Sequence, residues 1–292
     1  MGPRVIRALF ISSRPLSWIN TAFPFAAAYL TVTREVDLIA VLGTVFFLIP
    51  YNLAMYGIND VFDYESDLAN PRKGGVEGAL LAPSLHRATL WAAALTTVPF
   101  LVFLVAVGHP LSWLVLAVSM FAVYAYSAKG LRFKEKPVLD SVTSSTHFVS
   151  PALYGLVLAN ADFTPGLWMI LGAFFLWGMA SHAFGAVQDV IADREGGIAS
   201  IATVFGAATT VRLAIAAYAA AGTLLLFTGW PAALASALAV PYILTCLPFA
   251  RIADTDSERA NRGWKKFLAI NFISGFLVTM LLIGWWAMTP GG

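Results

Sequence analysis

Charged residues are scarce in this chain, because only 12% of its 292 residues are Asp, Glu, Lys or Arg. A soluble globular domain carries about twice that fraction. Hydrophobic residues make up 59% of the chain and its mean hydropathy is +0.76, which argues against a water-soluble protein. The net charge of +2 is small, and the cations lie in short clusters between apolar runs. We therefore expect no nucleic acid as a partner.

Cysteine is almost absent, since Cys246 is the one cysteine and it lies inside an apolar run. An intrachain disulfide and a cysteine-based metal site are therefore excluded. The N-terminus has Arg4, Arg7 and Arg14 before an apolar run, which is the pattern of a secretory signal peptide. Further apolar runs follow along the whole chain, so we expect this first segment to be retained as a membrane helix.

Long apolar runs are abundant. A bilayer core about 30 Å thick needs roughly 20 apolar residues in a helix that crosses it, and nine runs approach this length. They predict an all-α, polytopic membrane protein with about nine transmembrane helices around a central cavity. No linker or low-complexity tract divides the chain, so a single transmembrane domain over residues 1–292 is predicted. The predicted spans are 16–33, 38–58, 88–107, 111–127, 140–159, 166–187, 207–228, 231–250 and 266–287.

The distribution of Lys and Arg predicts the orientation in the membrane. If the N-terminus is cytoplasmic, all of the 18 cations except Arg34 lie in the N-terminal tail, in every second connection or in the span ends that adjoin them. The connections on the other side are mostly short. We therefore expect a multi-pass protein of the plasma membrane with its N-terminus and active-site loops in the cytoplasm. The cavity would be open to the cytoplasmic face.

The second predicted helix ends in the pattern N-D-x-x-D-x-x-x-D, formed by Asn59, Asp60, Asp63 and Asp67. On a continuous helix, residues at i, i+4 and i+8 fall within about 80° of arc, so Asn59, Asp63 and Asp67 form one acidic face. Carboxylates at membrane depth are costly and need a compensating cation. Mg2+ prefers oxygen ligands and is typically shared between a few carboxylates and substrate phosphates. The motif therefore predicts a magnesium site.

A second acidic pair, Asp189 and Asp193, ends the sixth predicted helix with D-x-x-x-D spacing. It lies four predicted helices after the first motif and on the same side of the membrane, as a parallel duplication would place it. Each cluster alone could be a solvated helix end, but the pair predicts two acidic faces opposed across a shared cavity, with a diphosphate bridging their metal ions. The predicted catalytic residues are Asp63, Asp67, Asp189 and Asp193. The predicted metal ligands are Asn59, Asp60, Asp63, Asp67, Asp189 and Asp193.

Candidate ligands for the diphosphate are cations and polar side chains near the two motifs. Arg14 lies where the first predicted helix enters the membrane, and Tyr126 and Ser127 offer hydroxyl groups at the end of the fourth. Cations in cytoplasmic loops are also expected from the orientation alone, so each of them has a second interpretation. The predicted diphosphate-binding residues are Arg14, Asn59, Arg72, Lys73, Tyr126, Lys129, Arg132, Lys134 and Arg194.

The two motifs and the spans resemble the UbiA superfamily of intramembrane prenyltransferases over essentially the whole chain. Within that superfamily the chain is most similar to the lycopene elongases of fifty-carbon carotenoid synthesis. The segments that carry the likeness are SSRPLSWINTAFPF, YNLAMYGINDVFDYESDLANPRKGGVEGAL, SSTHFVSP and FFLWGMASHAFGAVQDVIADRE.

This resemblance implies an enzyme, a Mg2+-dependent prenyltransferase. Dimethylallyl diphosphate would bind through Mg2+ to the two motifs, and its carbon–oxygen bond would break to leave an allylic cation. The terminal double bond of lycopene would attack this cation, and the resulting tertiary cation would lose a proton or take up water. The implied partners are an isoprenyl diphosphate donor, a lipophilic polyene acceptor and membrane lipid. Association with other carotenoid enzymes is a further expectation.

Two alternatives stay open at this point. Prenylation of an aromatic quinone precursor would need polar residues deep in the cavity, and a membrane transporter would place its acids near the midplane of broken helices. The second motif has Val190, Ile191 and Ala192 where the broader family often has another carboxylate, so the number of metal ions is open. His147 and His182, both within predicted helices, are either final proton acceptors or structural hydrogen-bonding groups.

Overall fold

The structure is a computed structural model that describes residues 2–69 and 80–289. The residues it describes form helices and no strands. Short 3-10 segments occupy Pro15–Ser17, Phe133–Glu135, Ala232–Leu238, Leu247–Phe249 and Asp254–Ala260. The α-helices are α1 Pro3–Ser12, α2 Ile19–Thr33, α3 Leu38–Leu48, α4 Pro50–Phe62, α5 Tyr64–Ala69, α6 Pro83–Val107, α7 Pro110–Ser127, α8 Leu139–Leu158, α9 Pro165–Val187, α10 Val190–Glu195, α11 Ile201–Phe205, α12 Ala207–Leu226, α13 Ala239–Cys246 and α14 Asn261–Met288.

Helices long and apolar enough to cross a membrane number seven in the part of the chain that the structure describes. The prediction of an all-α, multi-pass membrane protein is confirmed, but the count of nine is not. Two predicted spans fall short for different reasons. Helix α2 has only 15 residues, below the roughly 20 that a bilayer core requires. Helix α8 has 20 residues, but its first half is rich in Ser, Thr and other polar side chains.

The chain groups into two compact units. One comprises residues 1–133 and 147–161, and the other comprises residues 134–146 and 162–292. Helix α8 therefore contributes its first residues to the second unit and its remaining residues to the first unit. A single domain over residues 1–292 stays a prediction.

Helix α1 is an amphipathic helix that the sequence analysis treated as a tail. Its first turn begins with Pro3, whose fixed φ suits this position and whose missing N–H is not needed there. After Ser13, Arg14 adopts the left-handed conformation with φ 52° and ψ 70°. The chain then turns through a short 3-10 segment into α2. The predicted span 16–33 therefore begins later, at Ile19.

The second predicted span is a helix interrupted at Pro50, between α3 and α4. Proline has no N–H to donate, so the ladder of i to i−4 hydrogen bonds is interrupted there. Carbonyl groups in the preceding turn therefore need another hydrogen-bond donor. The Asn52 amide donates to the carbonyls of Phe47 at 2.8 Å and Leu48 at 3.1 Å. Thr21 adds a hydrogen bond of 2.6 Å to the Phe47 carbonyl. Asn52 therefore repairs the helix break.

Aromatic rings fill the core of the first unit. Phe25 stacks between Tyr29 and Tyr154, with ring centroids 5.8 and 6.1 Å away, and contacts Phe47 at 5.1 Å. The Phe25 side chain is fully buried. Gly43 of α3 lies directly against the edge of this ring, so the close approach of α2 and α3 depends on the absence of a side chain there.

We expect Gly43→Ala to lower the free energy of unfolding by about 1–3 kcal/mol, because the added methyl group overlaps the buried Phe25 ring and overpacks the core. Gly275→Ala is the matched control. It also lies within a helix, but a Cβ there meets nothing within 4 Å, so the change should be neutral or stabilising by up to about 1 kcal/mol. Thermal unfolding of the two purified variants in detergent measures both effects. An equal loss in both would contradict the packing assignment.

The core of the second unit surrounds the end of α9. Phe184 and Val187 are almost fully buried among the residues of this core, which include Tyr218 of α12 and Tyr242 of α13. Val190, the first residue of α10, is also fully buried. Because Val187 and Val190 both pack into the core, the chain segment between them, which carries Asp189 of the second acidic motif, is held in a fixed position.

Candidate active site

The first acidic motif lies at the junction of α4 and α5. Asp63 is the junction residue, with φ −102° and ψ 1°, and therefore interrupts the regular helix. The backbone hydrogen bonds nevertheless continue across it. The Asp63 N–H donates to the Asn59 carbonyl at 2.9 Å and the Asp67 N–H donates to the Asp63 carbonyl at 2.8 Å. The three side chains therefore keep helical i, i+4 relations on successive turns.

The carboxylates of this motif are buried. Asp63 is 3% exposed and Asp67 is 7% exposed. The Asn59 side-chain amide contacts the Asp63 carboxylate and donates to Ser127 Oγ at 3.1 Å, at the end of α7. Removing carboxylates from water is costly unless positive charge compensates them. The motif is therefore a site where a cation would be stabilised.

Arg132 lies beside the first motif. It adopts the left-handed conformation with φ 43°, and its guanidinium is 3.7 Å from Asp63 Oδ1 and 3.4 Å from the Phe62 carbonyl. About a third of the side chain stays exposed. Of the predicted diphosphate ligands, Arg132 is thus placed next to a predicted metal ligand. Tyr126, also predicted, packs its ring edge-on against His147 at 5.3 Å between centroids.

Asp60 and Arg14, two further predicted site residues, pair with each other. The guanidinium of Arg14 lies 2.6 Å from Asp60 Oδ1 and 3.3 Å from Oδ2, and Ser12 Oγ donates to Oδ2 at 2.7 Å. Arg14 also lies over the Tyr56 ring at 5.2 Å. The Asp60 side chain is 0% exposed and that of Arg14 is 11% exposed. These contacts fasten the end of α1 to α4.

The remaining predicted cations differ in position. Lys129 is exposed after α7, and Lys134 lies half-buried in a 3-10 segment at the start of the second unit. Arg72 and Lys73 lie outside the described residues.

The second acidic motif lies between α9 and α10. Asp189 precedes α10, and the Asp193 N–H donates to the Asp189 carbonyl at 2.8 Å, so both lie on successive turns. The neighbouring Gln188 accepts a hydrogen bond of 2.6 Å from the Asn261 amide at the start of α14. This bond holds the backbone on one side of Asp189.

Arg194, a predicted diphosphate ligand, is bound to α11 and to the 3-10 segment Asp254–Ala260 of its own unit. Its guanidinium lies 2.7 Å from Asp254 Oδ2 and donates to the Thr203 carbonyl at 2.9 Å. The other oxygen of Asp254 accepts from the Ala207 N–H at 2.7 Å, at the start of α12. Arg194 therefore ties α10 to α11 and to the 3-10 segment Asp254–Ala260.

Asp140 is a buried carboxylate that the sequence analysis missed. Its oxygens accept from the N–H of Ser141 at 2.6 Å and of Ile201 at 2.7 Å. Ser141 Oγ in turn lies 3.1 Å from His182 Nδ1, so the three side chains form a polar chain within the second unit. The available signal was one acid at the start of the most polar predicted span. This chain fixes the orientation of the His182 ring.

The side chains of the two motifs could bind Mg2+ only if further oxygen ligands completed its coordination shell. Among the described residues, no group of three or more His, Cys, Asp or Glu side chains is arranged to hold a metal by itself. Mg2+ commonly binds one or two carboxylates and completes its shell with water and substrate phosphates. Asp63 and Asp67, buried on successive turns beside the Asn59 amide, match that requirement. The protein part of the site is therefore suited to a metal that arrives with a phosphate ligand.

Comparison with known protein families identifies the family of this chain. The model of the UbiA prenyltransferase family matches residues 21–280 of this chain. The chain belongs to the UbiA prenyltransferase family. It is therefore a prenyltransferase, and the predicted family is confirmed.

Curated relatives lie close in sequence. A protein of Dietzia sp. (strain CQ4) named C(50) beta-cyclic carotenoids biosynthesis protein LbtBC is 58% identical over 282 residues, which are 96% of this chain and 65% of that protein. The chain thus spans slightly less than two thirds of that relative. A lycopene elongase/hydratase of Corynebacterium glutamicum is 53% identical over 278 residues, 95% of this chain and 97% of the relative. The predicted likeness to lycopene elongases is confirmed.

Solved structures of UbiA homologues share the fold at lower identity. A homologue from Archaeoglobus fulgidus bound to DMAPP and Mg2+ gives a TM-score of 0.66 at 21% identity, covering 91% of this chain and 98% of that one. An apo homologue from Aeropyrum pernix K1 gives a TM-score of 0.59 at 21% identity, covering 93% and 98%. At this level of identity the likeness establishes the fold alone.

Proposed function

We propose that this chain is a lycopene elongase, which transfers a five-carbon dimethylallyl group from its diphosphate to the ends of lycopene. The observation that carries the proposal is a buried acidic motif in a UbiA chain whose relatives at 53–58% identity are named for lycopene elongation and C50 carotenoid synthesis. The UbiA homologue bound to DMAPP and Mg2+ supports the choice of donor.

The proposed donor site combines the two acidic motifs. Asn59, Asp63 and Asp67 of the first motif and Asp189 and Asp193 of the second are the side chains that we assign to Mg2+. Bound Mg2+ would neutralise the diphosphate as it leaves. The burial of Asp63 and Asp67 favours this role, since a buried carboxylate pair is stabilised by a cation. Asp189 and Asp193 are half-buried.

Polar side chains around the motifs would bind and orient the diphosphate. Arg132, 3.7 Å from Asp63, is placed to reach phosphate oxygens beside the metal ligands. A guanidinium forms two parallel hydrogen bonds to a phosphate, which fixes its orientation. Ser127 and Tyr126, at the end of α7, would add hydroxyl contacts. Of the remaining predicted ligands, Lys129 and Lys134 would contribute long-range attraction.

Asp60 and Arg14 serve a different purpose in this proposal. The carboxylate of Asp60 receives the Arg14 guanidinium and the Ser12 hydroxyl, so both of its oxygens are engaged by the protein. We therefore assign this pair to holding α1 against the helix that carries Asn59 and Asp63. Arg194, bound to Asp254 and to the Thr203 carbonyl, holds α10 in the same way.

The reaction would proceed by ionisation of the donor. The carbon–oxygen bond breaks, diphosphate leaves, and the allylic cation is attacked by the terminal double bond of lycopene. The new tertiary cation then loses a proton or takes up water. The protein contributes preorganised charge around the diphosphate and an apolar surround that excludes stray water. His182, oriented by Ser141, is the side chain we assign to proton acceptance.

The proposed location is the plasma membrane, with the N-terminus and both acidic motifs on the cytoplasmic side. This orientation follows from the positive-inside distribution of the cations. Lycopene is a hydrocarbon and would reach the site from the bilayer, whereas the diphosphate donor would arrive from the cytoplasm. Association with other carotenoid enzymes stays an expectation.

We expect the purified protein in lipid, given Mg2+, dimethylallyl diphosphate and lycopene, to form products one and two five-carbon units larger than lycopene. Chromatography with mass analysis identifies them, and a chelator should abolish them. A parallel reaction replaces lycopene by 4-hydroxybenzoate, the acceptor of the aromatic alternative. Transfer to the aromatic acid alone would overturn the elongase proposal, while the family assignment would stand.

A further inference from the structure

We propose that α1 is a helix that lies in the plane of the membrane surface and binds the headgroups of anionic phospholipids through Arg4 and Arg7. The proposal concerns a surface outside the donor site and does not depend on the acceptor. It rests on three observations about the N-terminal segment: its exposed side chains, its charge and its attachment to the first unit.

The surface of α1 is divided between apolar and basic residues. Ile6 and Phe10 are 57% and 54% exposed and lie one turn apart on the same face. Arg4 and Arg7 are exposed on the adjacent face. A helix with one apolar and one basic exposed face is typical of an interfacial helix, whose apolar side enters the headgroup boundary while its arginines reach the phosphates.

The apolar surface continues beyond the helix. Leu16 is 54% exposed and Ile19, the first residue of α2, is 47% exposed. The sequence predicts that α2 enters the membrane, and these side chains would then face lipid. The exposed apolar residues of α1 are therefore continuous in sequence with a lipid-facing segment, which selects the bilayer as the occupant.

The charge of the segment selects anionic lipid. No Asp or Glu precedes Glu35 in the sequence, so the N-terminal segment carries positive charge without acids of its own. Arg14 is compensated by Asp60, whereas no ion pair of Arg4 or Arg7 occurs among the described residues. Each basic residue at an anionic membrane surface strengthens binding about fivefold, so two arginines correspond to about 25-fold.

The attachment of α1 to the protein is firm. Ser12 and Arg14 both bind Asp60 of α4, and Trp18 Nε1 donates to the Ser13 carbonyl at 3.0 Å. The Phe10 ring packs edge-on against Trp18 at 5.6 Å. Because the end of the helix is fixed at these points, its apolar and basic faces keep one orientation and need no reorganisation to meet the membrane.

The test uses a fluorescent probe on Ile6→Cys in the full-length protein, reconstituted in phosphatidylcholine with or without phosphatidylglycerol. The native Cys246 is 1% exposed and should not label. Quenchers placed near the headgroup, carried by either lipid, report the depth of the probe and the lipid beside it. A probe on Glu258→Cys, an exposed residue of the 3-10 segment Asp254–Ala260, is the control for depth.

We expect strong quenching at position 6 and weak quenching at position 258. We also expect labelled phosphatidylglycerol to bind beside the probe about 25-fold more tightly than labelled phosphatidylcholine. Arg4→Gln with Arg7→Gln should remove this preference, whereas Lys265→Gln with Lys266→Gln, an exposed basic pair at the start of α14, should leave it unchanged. No quenching at position 6, equal binding of the two lipids, or equal loss in both double variants would overturn the proposal.

Discussion

Asp63→Asn and Asp189→Asn are each expected to reduce prenyl transfer by about 100-fold to 1000-fold, the usual loss when a group that stabilises transition-state charge is removed. Each change keeps the size of the side chain and removes the negative charge that would hold Mg2+. Asp63 is 3% exposed, so bulk water cannot compensate for the loss of the carboxylate as a metal ligand. The measurement is the initial rate of product formation in lipid at saturating Mg2+.

The control for charge is Asp256→Asn, because Asp256 is an exposed carboxylate paired only loosely with Arg259 at 3.8 Å. That variant should keep full activity. Thermal unfolding of all variants confirms that they are folded. If Asp63→Asn or Asp189→Asn kept more than about a tenth of the activity, the metal role of that residue would be wrong.

Asp60→Asn is expected to cost about 3–5 kcal/mol of stability, because it breaks a buried ion pair and leaves the Arg14 guanidinium without its counter-charge. The side chains are 0% and 11% exposed, so water compensates little. The unfolding temperature in detergent should fall by several degrees. The Mg2+ concentration for half-maximal rate should stay unchanged, since Asp60 binds Arg14 and Ser12 in this structure.

A double-mutant cycle separates the two roles of this residue. Arg14→Gln alone should destabilise strongly, while Asp60→Asn with Arg14→Gln should cost less than the sum of the single changes, since neither charge is then left alone. Additive losses, or a Mg2+ requirement that rises in Asp60→Asn, would assign Asp60 to the metal instead.

The sequence located the helices well because membrane helices are defined by a local property. An apolar run of adequate length forms a helix wherever backbone groups cannot bind water. Each of the nine predicted runs coincides with a helical segment, including the run now divided at Pro50. Helix α1 was not predicted because its ten residues are too few and too basic to form a span.

The sequence by itself determined the family, the acidic motifs and their helical spacing, because these depend on residues a few positions apart. The tertiary structure alone decided which polar groups pair. Asp60 reads as one more acid of the first motif, yet its partner Arg14 lies 46 residues away. Asp140 reads as an ordinary helix start, yet it binds the N–H of Ile201, 61 residues further on. Packing brings such groups together, and a buried carboxylate takes the donor that packing places beside it.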